Sequence, residues 1–470
     1  MRGWLGRTAT AVLFVGAYLL APSIRAQEPA TAPAGDPLPA PEGIRDRVDF
    51  WKNVYAGWSL SQVALHDIDH AALVYEVVDL PGPAGERYTD EQSDFVRARR
   101  EMLESRLRDL ERKVLAGEPL DDAEKELALK ITTTAGGDAI VGASARVRSQ
   151  RGLRERFRRG IEISGRYDAI FRGIFREAGL PEDLAFLPHV ESSFQAQARS
   201  SAGAVGVWQF TRPAAKVFMN VGSSIDERLD PVAAARGAAR YLARAHELLG
   251  DWALAVTSYN HGIEGMCRAK EAYGTDFDRI VAEYDGRAFG FASKSFYAEF
   301  LAAREIAKDA ASYFPEGYSY EAPLPHDRIE LDGPASPVQL ARTYGIELGT
   351  LASLNPAWTK RAVRNGLALP AGTTVWLPEG TMARRQVHDA PKVARAEAPK
   401  APEPAPSTPA TLETKAAAVA HAVHIVSPGE SLFRIATAYG VRMADLLGLN
   451  RLTERSVIHP GQRLRIPLTR

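Results

Sequence analysis

The stretch Leu184-Ala-Phe-Leu-Pro-His-Val-Glu-Ser-Ser-Phe194 places one acidic residue, Glu191, at the end of a short apolar run. The preceding Gly179-Leu-Pro-Glu-Asp-Leu184 has an early proline and two acidic residues, which are typical of the first turn of a helix. Leu187 and Val190 would lie on the buried face of this helix, with Glu191 at the edge of that face near the helix end. Partial burial disfavours the charged form of a carboxyl group, so this residue is suited to act as a general acid at neutral pH.

Two segments downstream carry the side chains that would complete such a site. Gly206-Val-Trp-Gln-Phe210 contains an aromatic–amide pair, and Ser258-Tyr-Asn-His-Gly262 contains a Tyr-Asn pair. A carboxyl group with aromatic and amide groups around it is what cleavage of an amino-sugar polymer requires. The three segments therefore predict a polysaccharide-cleaving enzyme.

These segments resemble those of the lytic murein transglycosylases, in particular the membrane-bound D type, and the resemblance is sharpest between Leu180 and Ala303. The resemblance implies a mainly α fold with a lysozyme-like helical catalytic domain over residues 151–312. It also implies that Glu191 protonates the glycosidic oxygen between N-acetylmuramic acid and N-acetylglucosamine. The same residue then deprotonates the C6 hydroxyl group, which attacks C1 and forms a 1,6-anhydro end without water. No cofactor and no metal ion are expected.

The same resemblance assigns substrate binding to further side chains: Ser192, Ser200, Gly206, Trp208, Gln209, Tyr259, Asn260 and Tyr297. Some have a second interpretation. Ser200 could bond its own loop, and Trp208 could belong to the core. Many relatives have a cleft tyrosine where this chain has Phe296, so Tyr297 either supplies that hydroxyl group from a shifted backbone or the role is lost.

Two other functions compete with the transglycosylase. A lysozyme-type hydrolase on the same scaffold would use an additional acid to position water, and Asp226 and Asp230 are candidates. A peptidoglycan-binding scaffold without activity would not need Glu191. Peptidoglycan glycan strands are the expected partner in every case, and complexes with cell-wall enzymes are a further candidate.

Composition restricts the class of protein. The 470 residues exceed one ordinary domain, and 45% of them are hydrophobic, as in globular proteins. Lysine plus arginine and aspartate plus glutamate both number 58, so the net charge is zero and sequence-independent nucleic-acid binding is not expected. The single cysteine, Cys267, excludes an intramolecular disulfide framework.

The N-terminus predicts export to the periplasm. Arg2 and Arg7 precede an apolar run, and residues 1–26 read as a signal peptide cleaved after Ala26. An uncleaved N-terminal membrane anchor is the alternative. After cleavage no transmembrane span is expected, and the absence of a nearby cysteine excludes a lipid anchor. The Pro- and Ala-rich residues 27–43 predict a flexible lead.

Residues 44–150 predict a helical N-terminal region. Asp94–Ala116 places apolar residues at three- and four-residue steps, which predicts an amphipathic helix. The arginine-rich segment Arg146–Arg159 reads either as a solvated helix face or as a surface that attracts the carboxylates of peptidoglycan stem peptides. His66 and His70 would lie one turn apart on a helix, but no third metal ligand is apparent, so a metal site is not expected.

The C-terminal part contains an internal repeat. Tyr344-Gly345 and Asn355 recur at a constant spacing as Tyr439-Gly440 and Asn450. The second copy, residues 423–468, resembles a LysM module, a small βααβ unit that binds polymers containing N-acetylglucosamine. The resemblance assigns glycan binding to Gly429, Glu430, Ser431, Leu432, Asn450 and Pro460. Residues 313–385 predict a degenerate first copy, with sugar binding or a packing role left open, and residues 386–422 predict an Ala/Pro-rich linker.

Overall fold

The computed structural model describes residues 35–384, 421–426, 435, 443–450, 452 and 462–467. The chain forms two compact units, Met1–Pro391 and Lys392–Arg470. Helices predominate in the described residues, as the mainly α prediction requires. The predicted signal peptide, most of the linker and Gly429, Glu430, Ser431, Leu432 and Pro460 lie outside the described residues.

Unit 1 contains helices at both ends and in its centre. The described α-helices are α1 (Arg45–Lys52), α2 (Asp90–Ala116), α3 (Asp122–Ala135), α4 (Arg154–Ser164), α5 (Asp168–Glu177), α6 (Leu187–Glu191), α7 (Arg212–Phe218), α8 (Pro231–Leu249), α9 (Trp252–His261), α10 (Ile263–Tyr273), α11 (Phe277–Glu283), α12 (Phe291–Lys308), α13 (Ala310–Tyr313), α14 (Pro337–Tyr344), α15 (Leu348–Leu354) and α16 (Lys360–Asn365). The described strands are β1 (Gln62–Asp67), β2 (Val74–Asp79), β3 (Val147–Arg151), β4 (Asp327–Glu330) and β5 (Thr374–Leu377).

The N-terminal region combines helices with an antiparallel sheet of strand order β2-β1-β3. This sheet is a correction to the helical prediction for residues 44–150. The prediction rested on the helical periodicity of Asp94–Ala116, whereas the pairing of strands that are distant in the chain gives no such local signal. Helix α2 ends at Ala116 as predicted, but begins at Asp90, because Thr89 and Gln92 form a capping box. Its apolar stripe, Leu103, Leu107 and Leu110, is buried in a core shared with β1 and α3.

The two histidines considered for a metal site do not share a helix. His66 is a buried residue of β1, and its Nδ1 lies 2.9 Å from the backbone oxygen of Asp67. His70 follows in the turn before β2. Burial lowers the pKa of His66 to about 4, so the ring is neutral at pH 7.

The arginine-rich segment connects parts of unit 1. Arg146 donates to Asp67 at 2.9 Å, and Arg154 donates to both carboxylate oxygens of Glu316 at 2.8 Å. Arg159 pairs with Glu162 and Glu321. These contacts favour a structural role for the segment over attraction of stem-peptide carboxylates.

The predicted flexible lead is packed in its described part. Leu38 is fully buried, and Asp36 accepts two hydrogen bonds from Arg304 of α12, at 3.1 and 2.5 Å. Tyr297, also on α12, donates to the backbone oxygen of Pro39 at 2.9 Å. One buried apolar side chain and these polar contacts hold a segment whose Pro-rich composition alone indicates flexibility.

The helical domain around residues 151–312 is built on α8 and α12. The buried side of α8 is made of small residues, including Ala234, Ala238 and Ala245, which allows α5, α9 and α10 to pack closely against it. Helix α12 packs against α1, α9 and α6. Helix α1 therefore shares one hydrophobic core with the helices of residues 151–312, whereas α2, α3 and β1 form a separate core.

The first repeat is a complete small module. Strands β4 and β5 pair antiparallel, with Asp327 opposite Leu377, and enclose α14 and α15. The loop that follows Asn355 contains helix α16. Asn355 is buried, donates from Nδ2 to the backbone oxygens of Leu351 and Trp376, and accepts at Oδ1 from the Trp376 amide, each at 2.8 Å.

The described part of unit 2 contains the two outer strands and one helix of the βααβ unit predicted for the second repeat. Strands β6 (His421–Ile425) and β7 (Arg463–Pro467) pair antiparallel, and α17 spans Met443–Asn450. Strand β6 begins within the stretch assigned to the linker, because pairing with β7 orders it in spite of its Ala-rich sequence. Across the described ranges of both units, no helix combines the length and apolar character needed to cross a bilayer.

Candidate active site

Glu191 is the last residue of α6, which follows a 3₁₀ turn formed by Glu182–Phe186. Leu184 and Leu187 are fully buried, whereas Glu191 is half-buried. The carboxyl group therefore lies at the border of the core, where the sequence predicted it.

The backbone after Glu191 has two consecutive non-glycine residues in the left-handed region, Ser193 with φ 51° and Phe194 with φ 60°. Each such residue costs about 1–3 kcal/mol and persists only where the surrounding structure holds it. The buried ring of Phe194 packs edge-on against His189, at a centroid distance of 4.6 Å, and near Phe171. Local strain of this kind concentrates at functional sites. Here the packing of Phe194 holds the strained backbone beside the carboxyl group.

Ser192 corrects one predicted assignment. The residue is buried, and its hydroxyl group donates to the backbone oxygen of Val207 at 2.8 Å. This bond joins the end of α6 to the loop that carries the aromatic–amide pair. Ser192 therefore positions that loop, and its side chain does not face a ligand.

The loop of residues 198–210, here called the substrate loop, is held by its own polar groups. The exposed Ser200 accepts from the amide of Ala204 at 3.0 Å. Gln209, with φ 47°, donates from Nε2 to the backbone oxygens of Ala198 and Gly206, at 3.2 and 2.7 Å. Gly206 has φ 80°, and a Cβ there would collide with the backbone oxygen of Arg228, so only glycine fits.

Trp208 is a second correction. Its ring is fully buried and packs on Phe171 and Phe175, at centroid distances of 5.2 and 5.8 Å. The indole is therefore part of the core and offers no face on which a sugar could stack. The contribution of Trp208 to the site comes from its backbone oxygen.

Tyr259 joins α9 to the substrate loop. Its hydroxyl group donates to the backbone oxygen of Trp208 at 3.0 Å. Burial, and after it the negative charge of Glu191, raises the pKa of Tyr259 well above its ordinary value. The Tyr259 hydroxyl group thus contacts the loop that is also bonded to Ser192, the residue directly after Glu191.

The neighbouring Asn260 is half-buried, and its Oδ1 accepts from the hydroxyl group of Ser293 at 2.9 Å. Ser293 is itself buried, near the start of α12. Sequence reasoning missed Ser293, because a serine in the first turn of a helix carries no signal for a partner distant in the chain. The bond fixes the orientation of the Asn260 amide.

Tyr297 is a third correction. It is fully buried, and its hydroxyl group is bonded to Pro39, outside the cleft. Phe296 beside it is buried as well. The shifted-backbone interpretation of Tyr297 is therefore excluded, and this tyrosine anchors the N-terminal segment.

The two acids considered for water activation have other partners. Asp226 accepts two bonds from Arg228, at 2.9 and 2.8 Å. Burial alone would raise the pKa of Asp226, but the hydrogen bonds and charge of Arg228 outweigh burial and lower it. Asp230 is buried, caps α8 through the amides of Val232 and Ala233, and accepts from the indole of Trp376 at 2.6 Å.

Two known domain families match the sequence of this chain. The Transglycosylase SLT domain family matches residues 169–280, and the LysM domain family matches residues 424–467. The chain contains an SLT transglycosylase domain and a LysM domain. The SLT domain includes Glu191, the substrate loop and the Tyr259–Asn260 pair, whereas Ser293 and Tyr297 lie beyond its matched range.

The chain is also similar to proteins that are named as lytic murein transglycosylases. The chain is homologous to membrane-bound lytic murein transglycosylase D of Escherichia coli strain K12, with 27% identity over 301 residues. That alignment covers 63% of this chain and 62% of the relative, so the chain spans less than two thirds of the relative's length. Membrane-bound lytic murein transglycosylase F 2 of Alkalilimnicola ehrlichii is 34% identical over 114 residues, which cover 23% of this chain and 24% of that protein.

Among solved structures, the 70 kDa soluble lytic transglycosylase of Escherichia coli matches with a TM-score of 0.28 and 15% identity. The match covers 47% of this chain and 45% of that chain.

The LysM domain contains one predicted glycan-binding residue that the structure describes. Asn450 donates from Nδ2 to the backbone oxygens of Leu446 and Arg465, at 2.8 and 2.7 Å, and accepts from the Arg465 amide at 2.6 Å. Both amide hydrogens are thereby used within the domain. The Asn450 amide therefore ties α17 to Arg465, and its assignment to sugar contact stays a prediction.

Proposed function

We propose that the protein is a lytic transglycosylase, which cleaves the β-1,4 bond between N-acetylmuramic acid and N-acetylglucosamine in peptidoglycan and leaves 1,6-anhydromuramic ends. The observation that carries the proposal is the site at the end of α6, where Ser192, next to Glu191, and Tyr259 bond adjacent backbone oxygens of the substrate loop. These residues lie within the SLT domain, and the relatives carry the same activity in their names.

Glu191 would serve twice. It protonates the glycosidic oxygen as the bond to C1 breaks, and the N-acetylglucosamine end leaves as an alcohol. The resulting carboxylate takes the proton of the C6 hydroxyl group as that oxygen bonds to C1. The atoms balance without water, and Glu191 returns to its protonated form. Attack by a hydroxyl group of the same sugar is favoured by proximity.

The placement of the other carboxylates supports transfer over hydrolysis. Asp226 is held in a two-bond pair with Arg228, and Asp230 is committed to the α8 N-terminus and Trp376. On α12, the buried Glu299 accepts from the hydroxyl group of Tyr55 at 3.1 Å. Each of these acids has a structural partner, and positioning water would require breaking it.

The C-terminal LysM domain would hold the enzyme on its insoluble polymer. The segment over residues 1–26 has the pattern of an export signal, so we assign the activity to the periplasm, where the substrate lies. An uncleaved N-terminal anchor would leave the activity in the same compartment.

Product analysis tests the proposal. Purified peptidoglycan is digested in ¹⁸O-labelled water, and the released muropeptides are weighed by mass spectrometry. We expect anhydro ends, about 18 Da lighter than hydrolytic ends because no water is added, and almost no ¹⁸O at the new ends. Labelled reducing ends would identify a hydrolase, and no release at all would identify a binding scaffold.

A further inference from the structure

The first LysM-like module, residues 327–377, is attached to the catalytic domain through the segment of residues 223–230. The amide of Asp226 donates to the backbone oxygen of Ala357 at 2.8 Å, and the amide of Thr359 donates to Ser224 at 3.0 Å. The hydroxyl group of Thr359 donates to the backbone oxygen of Ser223 at 2.7 Å. Ile225 and Trp358 form an antiparallel bridge between the two parts.

The attachment is buried as well as hydrogen-bonded. Ile225 belongs to the catalytic domain by sequence, yet its side chain is buried in the core of the module with Leu351 and Trp358. The indole of Trp376 donates to the buried Asp230, and that carboxylate also caps α8. A buried carboxylate with satisfied hydrogen bonds on both sides of a contact makes that contact costly to open.

Arg228 connects the segment that holds the module to the substrate loop. The Asp226 carboxylate holds its guanidinium group by two parallel bonds, and the free edge of the group donates to the backbone oxygens of Gly203 and Phe210, at 3.1 and 3.2 Å. The Arg228 side chain is only 7% exposed. Its own backbone oxygen lies where a Cβ of residue 206 would be. Arg228 therefore bridges the middle of the loop, at Gly203, and its C-terminal end, at Phe210.

The loop in turn contacts the catalytic residue's surroundings. Val207 accepts from Ser192, which directly follows Glu191, and Trp208 accepts from Tyr259. A continuous set of short contacts thus runs from the module through Asp226 and Arg228 to the residues that flank the carboxyl group.

We propose that Arg228 is a positioning residue for the reaction, and that the first LysM-like module acts as a fixed support of the active site through the Asp226–Arg228 pair. The inference rests on the proposed function, since it concerns the same site. Of the two roles open for the degenerate repeat, sugar binding and packing, this assigns packing: the module is part of the catalytic scaffold.

The chemistry of the side chain explains why arginine is needed. The planar guanidinium group presents donors in a fixed fork, so it can bind a carboxylate on one edge and two carbonyl groups on the other. A lysine keeps the charge but offers one flexible ammonium group, which cannot span the same three acceptors. Arg228→Lys therefore removes the bridge while it preserves the charge.

The experiment compares Arg228→Lys with Arg236→Lys in the full chain. Arg236 lies on α8 at the same contact, donates to Glu330 and Thr374 at 3.3 Å, and does not bond the substrate loop. Two experiments are made: steady-state kinetics on soluble glycan chains, which give kcat and KM, and hydrogen exchange of the amides of residues 203–210. We expect Arg228→Lys to lower kcat roughly ten- to a hundredfold, since a displacement of 1 Å can cost that much. The loop amides should exchange faster, while Arg236→Lys stays within about twofold of the parent in both.

Unchanged kcat and unchanged loop exchange in Arg228→Lys would overturn the proposal, and so would equal losses in the two variants. If Arg228→Lys does not fold, Asp226→Asn decides by the same two measurements, because it keeps the arginine and removes the charge that aligns it. The exchange measurement does not require activity. Failure of the proposed function would appear instead as a parent enzyme that releases no muropeptides.

Discussion

Tyr259 donates its hydroxyl group to the backbone oxygen of Trp208, 3.0 Å away, and so ties helix α9 to the substrate loop beside Glu191. The two residues are far apart in the chain, and the bond is made by a backbone atom of a residue whose side chain belongs to the core. The site therefore depends on where the loop backbone lies, as well as on which side chains line it.

Tyr259→Phe should lower kcat by roughly tenfold or more on soluble glycans, because loss of the bond releases the loop next to the carboxyl group. Removal of one buried hydrogen bond should also lower the free energy of unfolding by about 1 kcal/mol. Steady-state kinetics and denaturant unfolding measure the two effects.

Tyr241→Phe is the matched control. Tyr241 also donates from a buried hydroxyl group to a backbone oxygen, that of Ser258, at 2.7 Å. Its loss should reduce stability by a similar amount and leave kcat near that of the parent. A similar fall of kcat in both variants would mean that stability alone, and not the loop, limits turnover.

Glu191→Gln should abolish cleavage and preserve the fold. Glutamine is nearly isosteric but can neither deliver nor accept the proton, and acid–base assistance contributes roughly 10²–10⁴-fold. Release of muropeptides, thermal unfolding and pelleting with insoluble peptidoglycan are measured together. Glu182→Gln, which changes a carboxylate paired with Arg176 at the surface, is the control and should behave as the parent. Cleavage by Glu191→Gln near the parent rate would refute the catalytic assignment.

The position of Glu191 could be predicted because its signals are local: an apolar run, an early proline and a fixed distance to two short motifs. The outer strands of the second repeat could be predicted because its sequence resembles a LysM module. Ser192, Trp208 and Tyr297 were assigned to the substrate by resemblance, and their burial depends on neighbours that periodicity cannot reveal. The partner of Tyr297 is 258 residues away. Likewise, pairing between β1 and β3 and the packing of Leu38 arise only once the chain has folded.

Asn450→Ala should weaken pelleting with insoluble peptidoglycan and leave turnover of short soluble glycans nearly unchanged. The substitution leaves the backbone oxygen of the buried Leu446 without its amide partner, at a cost of about 1–3 kcal/mol, and removes both bonds to the Arg465 backbone. A chain that ends at Ala390 should show the same pattern, because it lacks the tether.

The equivalent change in the first module distinguishes the two repeats. Asn355 makes the same three bonds, but in the module that supports the catalytic domain. Asn355→Ala should therefore reduce turnover of soluble glycans and the thermal stability of unit 1. If Asn450→Ala reduced soluble turnover as strongly as Asn355→Ala, this division between the repeats would be wrong.

His189 makes stability depend on pH. The ring is 2% exposed, stacks on Phe157 at a centroid distance of 5.0 Å, and burial lowers its pKa from 6.5 to about 3. Between these two values the unfolded chain binds a proton that the folded protein does not, so stability falls as the pH drops below about 6.5. At pH 5 this group lowers the free energy of unfolding by about 2 kcal/mol, since each pH unit below 6.5 contributes about 1.36 kcal/mol.

His189→Phe should remove this dependence, because phenylalanine fits an aromatic cluster and does not titrate. The difference in unfolding free energy between pH 7 and pH 5 should be smaller than in the parent by about 2 kcal/mol. Part of the slope should remain, since burial lowers the pKa of His66 to about 4 and acts in the same direction. Equal slopes in His189→Phe and the parent would show that His189 is not buried in its neutral form, and the packing around the end of α6 would have to be revised.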